Sequence, residues 1–519
     1  MKYTMIVLGI LAIVCVGCRS SAVVVQDEST ATAAPISPIT TFTTVPTTRP
    51  TTTLTLTATR SLQPTTTPTE IVTKTPVPTN QLAEIVTVEF VSQTLSNLDN
   101  GIWDDFGPHI AVGDVTGDSQ PEIILALQGE DYTKTEGVFW RHPVIFSRHG
   151  LTFEKLAVSW LGIAPPAPKL STADRQGLSI SVAILDINQD GLNEVVVGTT
   201  PYRNGSEYGA VYIFQWTGTN FMAVYSDYCL GSVYRLDLLG DDQIALSTFD
   251  RPIGDQAAYE KVCPEIPKTT DKRNNGLYSL GLVEPNQYET QVLVLDRGWI
   301  TTLAMNTRAP ATSHFVRFDL HSTTPRGDWA TAQLVGLDGP IVNKENILPQ
   351  IKSFAEYMEA ADLDGDEIDE IINLTSRDTQ FGDVFTWQVF KMIAGSYQLL
   401  FESAESEPLK KGIDRFVTGD VDNDGLTEII DNRGSVYKWN SNQLCYQGNL
   451  IEAIEQDLEY GLEGMYIGDV YGNGENKIIF TGRYSHDAPE AKTCLNEYAC
   501  TPQMYIVSLA ATLPANTCQ

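Results

Sequence analysis

Beyond about residue 85 the chain sets apolar against polar positions in short runs broken by Gly, Asn and Asp, with no long stretch of helical period. Alternation of period two predicts strands, and the density of turn residues predicts short ones, so the expected class is all-β. One compound pattern recurs: an apolar run, an acidic turn, then a second apolar run. It reads "IAVGDVTGDSQPEIILAL" from Ile110, "VAILDINQDGLNEVVVGT" from Val182, "AADLDGDEIDEIINLT" from Ala360, "VTGDVDNDGLTEIIDNR" from Val417 and "YIGDVYGNGENKIIFTG" from Tyr466, with a weaker copy, "VYRLDLLGDDQIALST", from Val233.

The repeat spacing of roughly 50 to 70 residues has room for four strands. A strand, a tight turn and another strand follow several copies, as in "VYIFQWTGTNFMAVYSD" from Val211 and "VYKWNSNQLCYQG" from Val436. Each repeat is therefore expected to form one antiparallel four-stranded sheet. Such a sheet cannot bury both faces alone, so the sheets should pack radially as a seven-bladed β-propeller. The count of seven includes a blade without an acidic turn, "GWITTLAMNTRAPATSHFVRFDL" with "GDWATAQLVGLDG", between Asp237 and Asp362. The last repeat supplies three strands, ending in "QMYIVSLA". The segment "EIVTVEFVSQTLS" from Glu84 is the expected fourth, which would close the ring and remove its free edges.

The 519 residues divide into three expected regions: a signal segment over 1–18, a linker over 19–83 and the propeller over 84–519. Lys2 and the apolar run Met5–Val16 have the form of a secretory signal, too short to span a bilayer. Cys15-Val16-Gly17-Cys18 resembles a bacterial lipobox, which implies lipidation at Cys18; the other reading is an ordinary signal peptide cut nearby. The Thr/Pro-rich stretch that follows lacks the large apolar residues a core needs and reads as a disordered stalk. These features place the protein outside the cytoplasm, tethered to a membrane. The formal net charge of −31 argues against a nucleic-acid partner and is compatible with divalent cations.

The acidic turns carry oxygen-bearing side chains at positions 1, 3, 5 and 9 of a nine-residue loop. The four full sets are Asp114, Thr116, Asp118 and Glu122; Asp186, Asn188, Asp190 and Glu194; Asp362, Asp364, Asp366 and Glu370; and Asp420, Asp422, Asp424 and Glu428. Hard oxygen donors in this number suit Ca²⁺. Without a cation, carboxylates this close repel one another or take up protons. The metal-free alternative is a set of Asx-turns. Three to four structural Ca²⁺ sites are expected. In the copy at Asp469, Tyr471 stands at position 3 and Lys477 at position 9, so the Lys ammonium would replace a cation there. The copy at Asp237 has Leu239 and Ala245 at those positions and should hold no metal.

The pattern resembles the FG-GAP/VCBS repeats of integrin α-subunit propellers and of many bacterial surface proteins, most clearly in "GDVDNDGLTEII" around Asp420 and "EYGAVYIF" near Tyr208. The resemblance implies Ca²⁺ loops between the first two strands of a blade, bracing it, with partners docking on the opposite face. That face carries the long loops, which hold Tyr132, Tyr202, Arg203, Tyr208, Arg251, Tyr259, Tyr484 and His486, residue types that anchor interfaces.

Six further cysteines suit an oxidising compartment. The expected disulfides are Cys229–Cys263 and Cys494–Cys500, with Cys445–Cys518 left by elimination. The chain has no GxSxG, HExxH or P-loop motif. The expected function is a non-enzymatic binding or adhesion module for a protein or a glycan. The alternatives are a polysaccharide lyase or hydrolase and a purely structural envelope component. An enzyme should gather acids, or His, Tyr and Arg, on the central channel; a lectin should show clefts floored by Trp or Tyr between blades.

Overall fold

The chain divides into two units, residues 1–74 and 75–519. The computed structural model describes residues 81–92, 101–102, 109–126, 130–131, 143–161, 178–200, 210–227, 230, 232–238, 243–249, 275–284, 287–296, 300–303, 314–319, 331–336, 347–348, 354–379, 382–393, 396–404, 406, 415–454, 458–484, 503–510 and 512–513, all in the second unit. The signal segment, Cys18, nearly all of the linker, Cys229, Cys263, Cys494, Cys500 and Cys518 lie outside them.

The described residues are nearly all strand. Sheet 1 runs His109–Gly113, Glu122–Ala126, Val144–His149 and Thr152–Lys155. Sheet 2 runs Leu178–Leu185, Glu194–Thr200, Val211–Trp216 and Phe221–Asp227, with Trp160–Leu161 added in parallel on its outer edge. Sheet 3 runs Ser232–Leu238, Gln243–Phe249, Asn275–Glu284 and Gln287–Asp296. Sheet 4 runs Ile300–Leu303, His314–Asp319, Thr331–Gly336 and Ile347–Leu348, in the region expected to lack an acidic turn. Sheet 5 runs Phe354–Ala361, Glu370–Thr379, Gly382–Ile393 and Ser396–Glu402, and sheet 6 runs Phe416–Gly419, Glu428–Asp431, Ser435–Asn440 and Gln443–Asn449. Sheet 7 takes Leu458–Gly468, Lys477–Tyr484 and Gln503–Leu509 from the end of the chain and Val86–Val91 from its start.

The first strand of each sheet packs against the first strand of the next, and that of sheet 7 packs against that of sheet 1. This closed cycle is a β-propeller. Antiparallel pairing of Val86 with Leu509 through Val91 with Tyr505 closes the ring, as expected from the alternation in "EIVTVEFV". Ser92 finishes the seam: its backbone N–H donates to Met504 O at 2.9 Å, and its hydroxyl accepts from Met504 N at 2.9 Å.

The core lies between neighbouring sheets. Middle strands are covered on both faces, which explains their unbroken apolar runs: Ile123, Ile124, Leu125 and Ala126 are fully buried, as are Val195, Val196 and Val197. One cluster joins Ile124 and Ile145 of sheet 1 to Val182 and Val195 of sheet 2, and another joins Ile479 and Ile506 of sheet 7 to Ile123 and Phe146 of sheet 1. The packed structure starts before the expected boundary at residue 84. Gln81–Glu84 form a 3-10 turn, and its Leu82 is fully buried among Val421, Ile430, Leu450, Leu462 and Leu513. An apolar residue that plugs the seam between sheets 6 and 7 belongs to the domain, whatever the composition before it.

Candidate metal sites

Every acidic turn joins the first strand of a sheet to the second, and the four full ones, at Asp114, Asp186, Asp362 and Asp420, are built by the same local rules. Position 2 is an apolar anchor: Val115, Ile187, Leu363 and Val421 are at most 1 % exposed. Position 9 is a buried Glu whose Oε2 accepts the backbone N–H of position 2. The bonds are Val115 to Glu122 at 3.0 Å, Ile187 to Glu194 at 3.0 Å, Leu363 to Glu370 at 2.9 Å and Val421 to Glu428 at 3.0 Å. Position 1 caps the turn: Asp186 accepts from Asp190 N and Gly191 N, and Asp420 from Asp424 N and Gly425 N. Positions 4 and 6 sit in left-handed backbone, at φ 57° and 87° for Gln189 and Gly191 and 57° and 88° for Asn423 and Gly425. In the loops at Asp362 and Asp420 the carboxylates at positions 1, 3 and 9 converge within 4.8 Å of one another; among the described residues the acids of the loops at Asp114 and Asp186 do not gather as tightly.

The loops also brace one another. Asn193 Nδ2 donates to Asp114 O at 2.7 Å, linking sheet 2 to sheet 1. Asn476 Nδ2 donates to Asp420 O at 3.0 Å, linking sheet 7 to sheet 6. The Gly before the acidic turn has a packing reason: a Cβ on Gly419 would come within 2.5 Å of Ile467 Cγ2 on the next sheet, and one on Gly113 within 2.8 Å of Ile184 Cγ2.

What occupies the centre differs between loops. In the loops Asp114–Glu122 and Asp186–Glu194 the groups facing Glu Oε1 are neutral, Thr116 Oγ1 at 3.2 Å from Glu122 and Asn188 Nδ2 at 2.8 Å from Glu194. Burial, helped by the neighbouring Asp charges, pushes Glu122 and Glu194 up to about 7. These loops offer the hard oxygens that Ca²⁺ takes, and among the described residues Glu122 and Glu194 have no cationic partner; the Asn188 amide turns its nitrogen to the centre, Nδ2 donating to Asp190 and Glu194 while its Oδ1 accepts the Asp190 N–H.

The other two loops hold an ammonium. Lys391 Nζ lies 2.5 Å from Asp364 Oδ2, 3.0 Å from Asp366 Oδ2 and 2.8 Å from Glu370 Oε1. Lys438 Nζ lies 2.9 Å from Asp422 Oδ2, 2.6 Å from Asp424 Oδ2 and 2.9 Å from Glu428 Oε1. Burial works against each ammonium, but its bonds to the carboxylates outweigh this and hold both lysines above their ordinary pKa. The carboxylates at these two loops, Asp362 with Asp364 and Glu370, and Asp420 with Asp422 and Glu428, do converge as expected. The lysines among them were not anticipated. The ammonium expected at Asp469 behaves differently: Lys477 pairs with Glu475 at 3.0 Å and with Glu89 of the closing strand at 3.4 Å. Asp237, the weak copy, pairs with Arg235 at 2.8 Å.

Two further features of the described residues bear on function. A cleft of about 420 Å³ is lined by Glu89, Arg148, Leu151, Tyr471, Asn473, Glu475 and Lys477. It lies where the acidic turn of sheet 7, the closing strand and the outer hairpin of sheet 1 meet, on the acidic-turn face. Arg148 stacks on the Tyr471 ring at 5.0 Å and donates to Tyr471 O, while Leu151 is 76 % exposed. The second feature crosses the axis. Arg235 of sheet 3 reaches Met358 O at 3.2 Å and Glu359 Oε1 at 3.3 Å on sheet 5. His109 of sheet 1 is exposed by surface area, yet the protein around it and then the charges of Arg415 and Arg235 lower its pKa to about 4. The long-loop residues named above lie outside the described residues, apart from the backbone of Tyr484. Cys445 is buried and disulfide-bonded, its partner outside them.

Residues 180–214, which span the second loop and three strands of sheet 2, match the FG-GAP repeat. The fold is a β-propeller that carries an FG-GAP repeat at these residues. A comparison with curated proteins gives no match. Among solved structures it resembles the Dos1 propeller (9 % identity, 82 % of this chain and 95 % of that one, TM-score 0.41). It also resembles Saccharomyces cerevisiae Sqt1 (10 %, 80 % and 100 %, 0.39) and a Penicillium chrysogenum α-L-arabinanase complexed with arabinobiose (9 %, 84 % and 100 %, 0.39). The loop geometry above gives the FG-GAP pattern its physical content: Gly for close sheet packing, Asp to cap, Glu to tie position 9 back to position 2.

Proposed function

We propose that this chain is an extracytoplasmic, membrane-tethered binding module whose FG-GAP propeller is braced by Ca²⁺ in the loops of sheets 1 and 2 and binds a protein or glycan. The cleft beside Tyr471 carries the reading. It lies between two sheets, offers two carboxylates, an ammonium and a guanidinium to a polar ligand, and sets an exposed Leu151 at its rim for an apolar contact. Its place on the acidic-turn face differs from the face the family resemblance implies. Tethering rests on the lipobox-like Cys18 and the Thr/Pro-rich stretch after it; among the described residues no helix is long and apolar enough to cross a membrane. FG-GAP repeats favour an extracellular setting.

The test is glycan-array and surface-protein pull-down binding by the full chain, with and without EDTA, beside Arg148→Ala and Glu475→Ala. Loss of a bound ligand in both variants, at an unchanged melting temperature, supports the cleft. Binding that neither variant weakens refutes it.

The second reading is a carbohydrate-active enzyme, favoured by the axial group of Arg235, Asp237, Glu359, Arg415 and His109. Burial pushes the Asp237 and Glu359 carboxyls up against the pull of Arg235, a setting in which a carboxyl can hold a proton for transfer. Release of reducing ends or unsaturated sugars from a polysaccharide panel, abolished by Glu359→Gln, supports it. Release that survives this substitution counts against it.

A further inference from the structure

We infer that repeats 5 and 6 supply their own cation: the Lys391 and Lys438 ammonium groups stand where Ca²⁺ would sit, and metal is confined to the loops of sheets 1 and 2. The second clause rests on the calcium reading above; the first does not.

The geometry excludes joint occupancy. Each ammonium lies 2.5–3.0 Å from three carboxylate oxygens, at positions 3, 5 and 9 of its loop. Ca²⁺ needs those same oxygens at about 2.3–2.6 Å. A divalent ion there would lie almost in contact with a like charge. The Lys438 side chain is 2 % exposed, and its partners Asp422 and Glu428 are fully buried. Asp422 Oδ2 is further committed, accepting Leu513 N at 2.6 Å. The charge left over falls on the most exposed partners, Asp366 at 42 % and Asp424 at 21 %, where water screens it.

The ladder register fixes which residue fills the centre. The third strand sets one side chain across from the ninth-position Glu, and in sheet 6 that pair is Glu428 with Lys438. In sheet 5 the residue next to the Ile371–Phe390 pair is Lys391. In sheets 2 and 1, next to Val195–Phe214 and Ile123–Phe146, the same place holds Gln215 and Ser147. Gln215 Nε2 donates to Asp190 Oδ2 at 2.9 Å; a neutral side chain brings no counter-charge to the acidic turn, whereas a lysine does. Loops of one repeat type are thus set to metal or to ammonium by a single third-strand residue.

The test is equilibrium dialysis of the full chain against Ca²⁺. Wild type is expected to bind two ions, Lys391→Met and Lys438→Met three each. Variants that bind no more than wild type overturn the inference. So does a wild type that binds four and loses one with Asp422→Asn, a result that leaves the calcium reading intact. A wild type that binds none while each variant gains one retains the ammonium assignment and removes the calcium reading. Should a variant fail to fold, amine acylation of wild type decides. Labelling of Lys391 and Lys438 that is equal in EDTA and in Ca²⁺ supports the inference; a rise in Ca²⁺ means the metal displaces the amine and overturns it.

Discussion

Asp431 should cost the protein stability at neutral pH, and Asp431→Asn should recover it. The side chain ends the second strand of sheet 6 and is fully buried. It accepts the N–H groups of Arg433 at 3.0 Å and Ser435 at 2.9 Å and the Tyr437 hydroxyl at 3.4 Å, which shapes the tight turn to the third strand. Burial pushes its pKa up from 3.8 to about 6, against the pull of those backbone bonds and of Arg433. Below pH 3.8 the folded and unfolded chains both hold the proton; above about 6 neither does. Between them the folded chain holds more, so stability falls as pH rises through this window. The shift of about 2 units corresponds to about 3 kcal/mol. Asn keeps one oxygen for the two amides and offers N–H to the Tyr437 oxygen. The variant should therefore match wild type near pH 4 and exceed it by up to about 3 kcal/mol at pH 7. Urea unfolding followed by tryptophan fluorescence at pH 4, 5, 6 and 7 measures the difference. A variant no more stable than wild type at pH 7, with the same pH slope, refutes the reasoning.

Leu82→Ala removes a fully buried side chain from the seam of sheets 6 and 7, and a loss of about 2–5 kcal/mol in chemical unfolding is expected; a loss below 1 kcal/mol would show that the turn before the closing strand is not part of the core. Gly419→Ala drives a methyl against Ile467 and should cost about 1–3 kcal/mol through overpacking, with Gly419→Ala/Ile467→Val recovering part of it. EDTA should lower the melting temperature of wild type, in line with about 2.7 kcal/mol for each site held at a hundred times its Kd. A chain carrying both Glu122→Gln and Glu194→Gln should show no such response, and a response that persists in it places the metal elsewhere.

What the sequence revealed and what it hid follow from the range of the interactions. The acidic turns are local. Each is set within nine residues by an apolar anchor, a capping Asp and a Glu that reaches back to position 2, so their repetition announced both the loops and the sheets they join. The closing strand was also visible, because "TVEFV" alternates and the last repeat lacked a partner. Leu82 was missed because it ends the Thr/Pro-rich stretch, whose composition argues against a core, and only the seam between two sheets distant in sequence from it gives it a place. Arg235 and Glu359 are far apart in the chain and meet only because a closed ring brings sheets 3 and 5 to one axis. Lys391 and Lys438 are the most instructive misses. Each follows its Glu at a different distance, since the turns between second and third strands differ in length, so no fixed spacing marks them. Aligning repeats on the acidic turn compares ligand sets and finds four near-equals. Aligning them on the ladder, with the third-strand residue placed across from the ninth position, separates Ser147 and Gln215 from the two lysines. A metal-loop motif is therefore half a site: the carboxylates state that positive charge is needed, and the neighbouring strand decides whether the protein or the solvent supplies it.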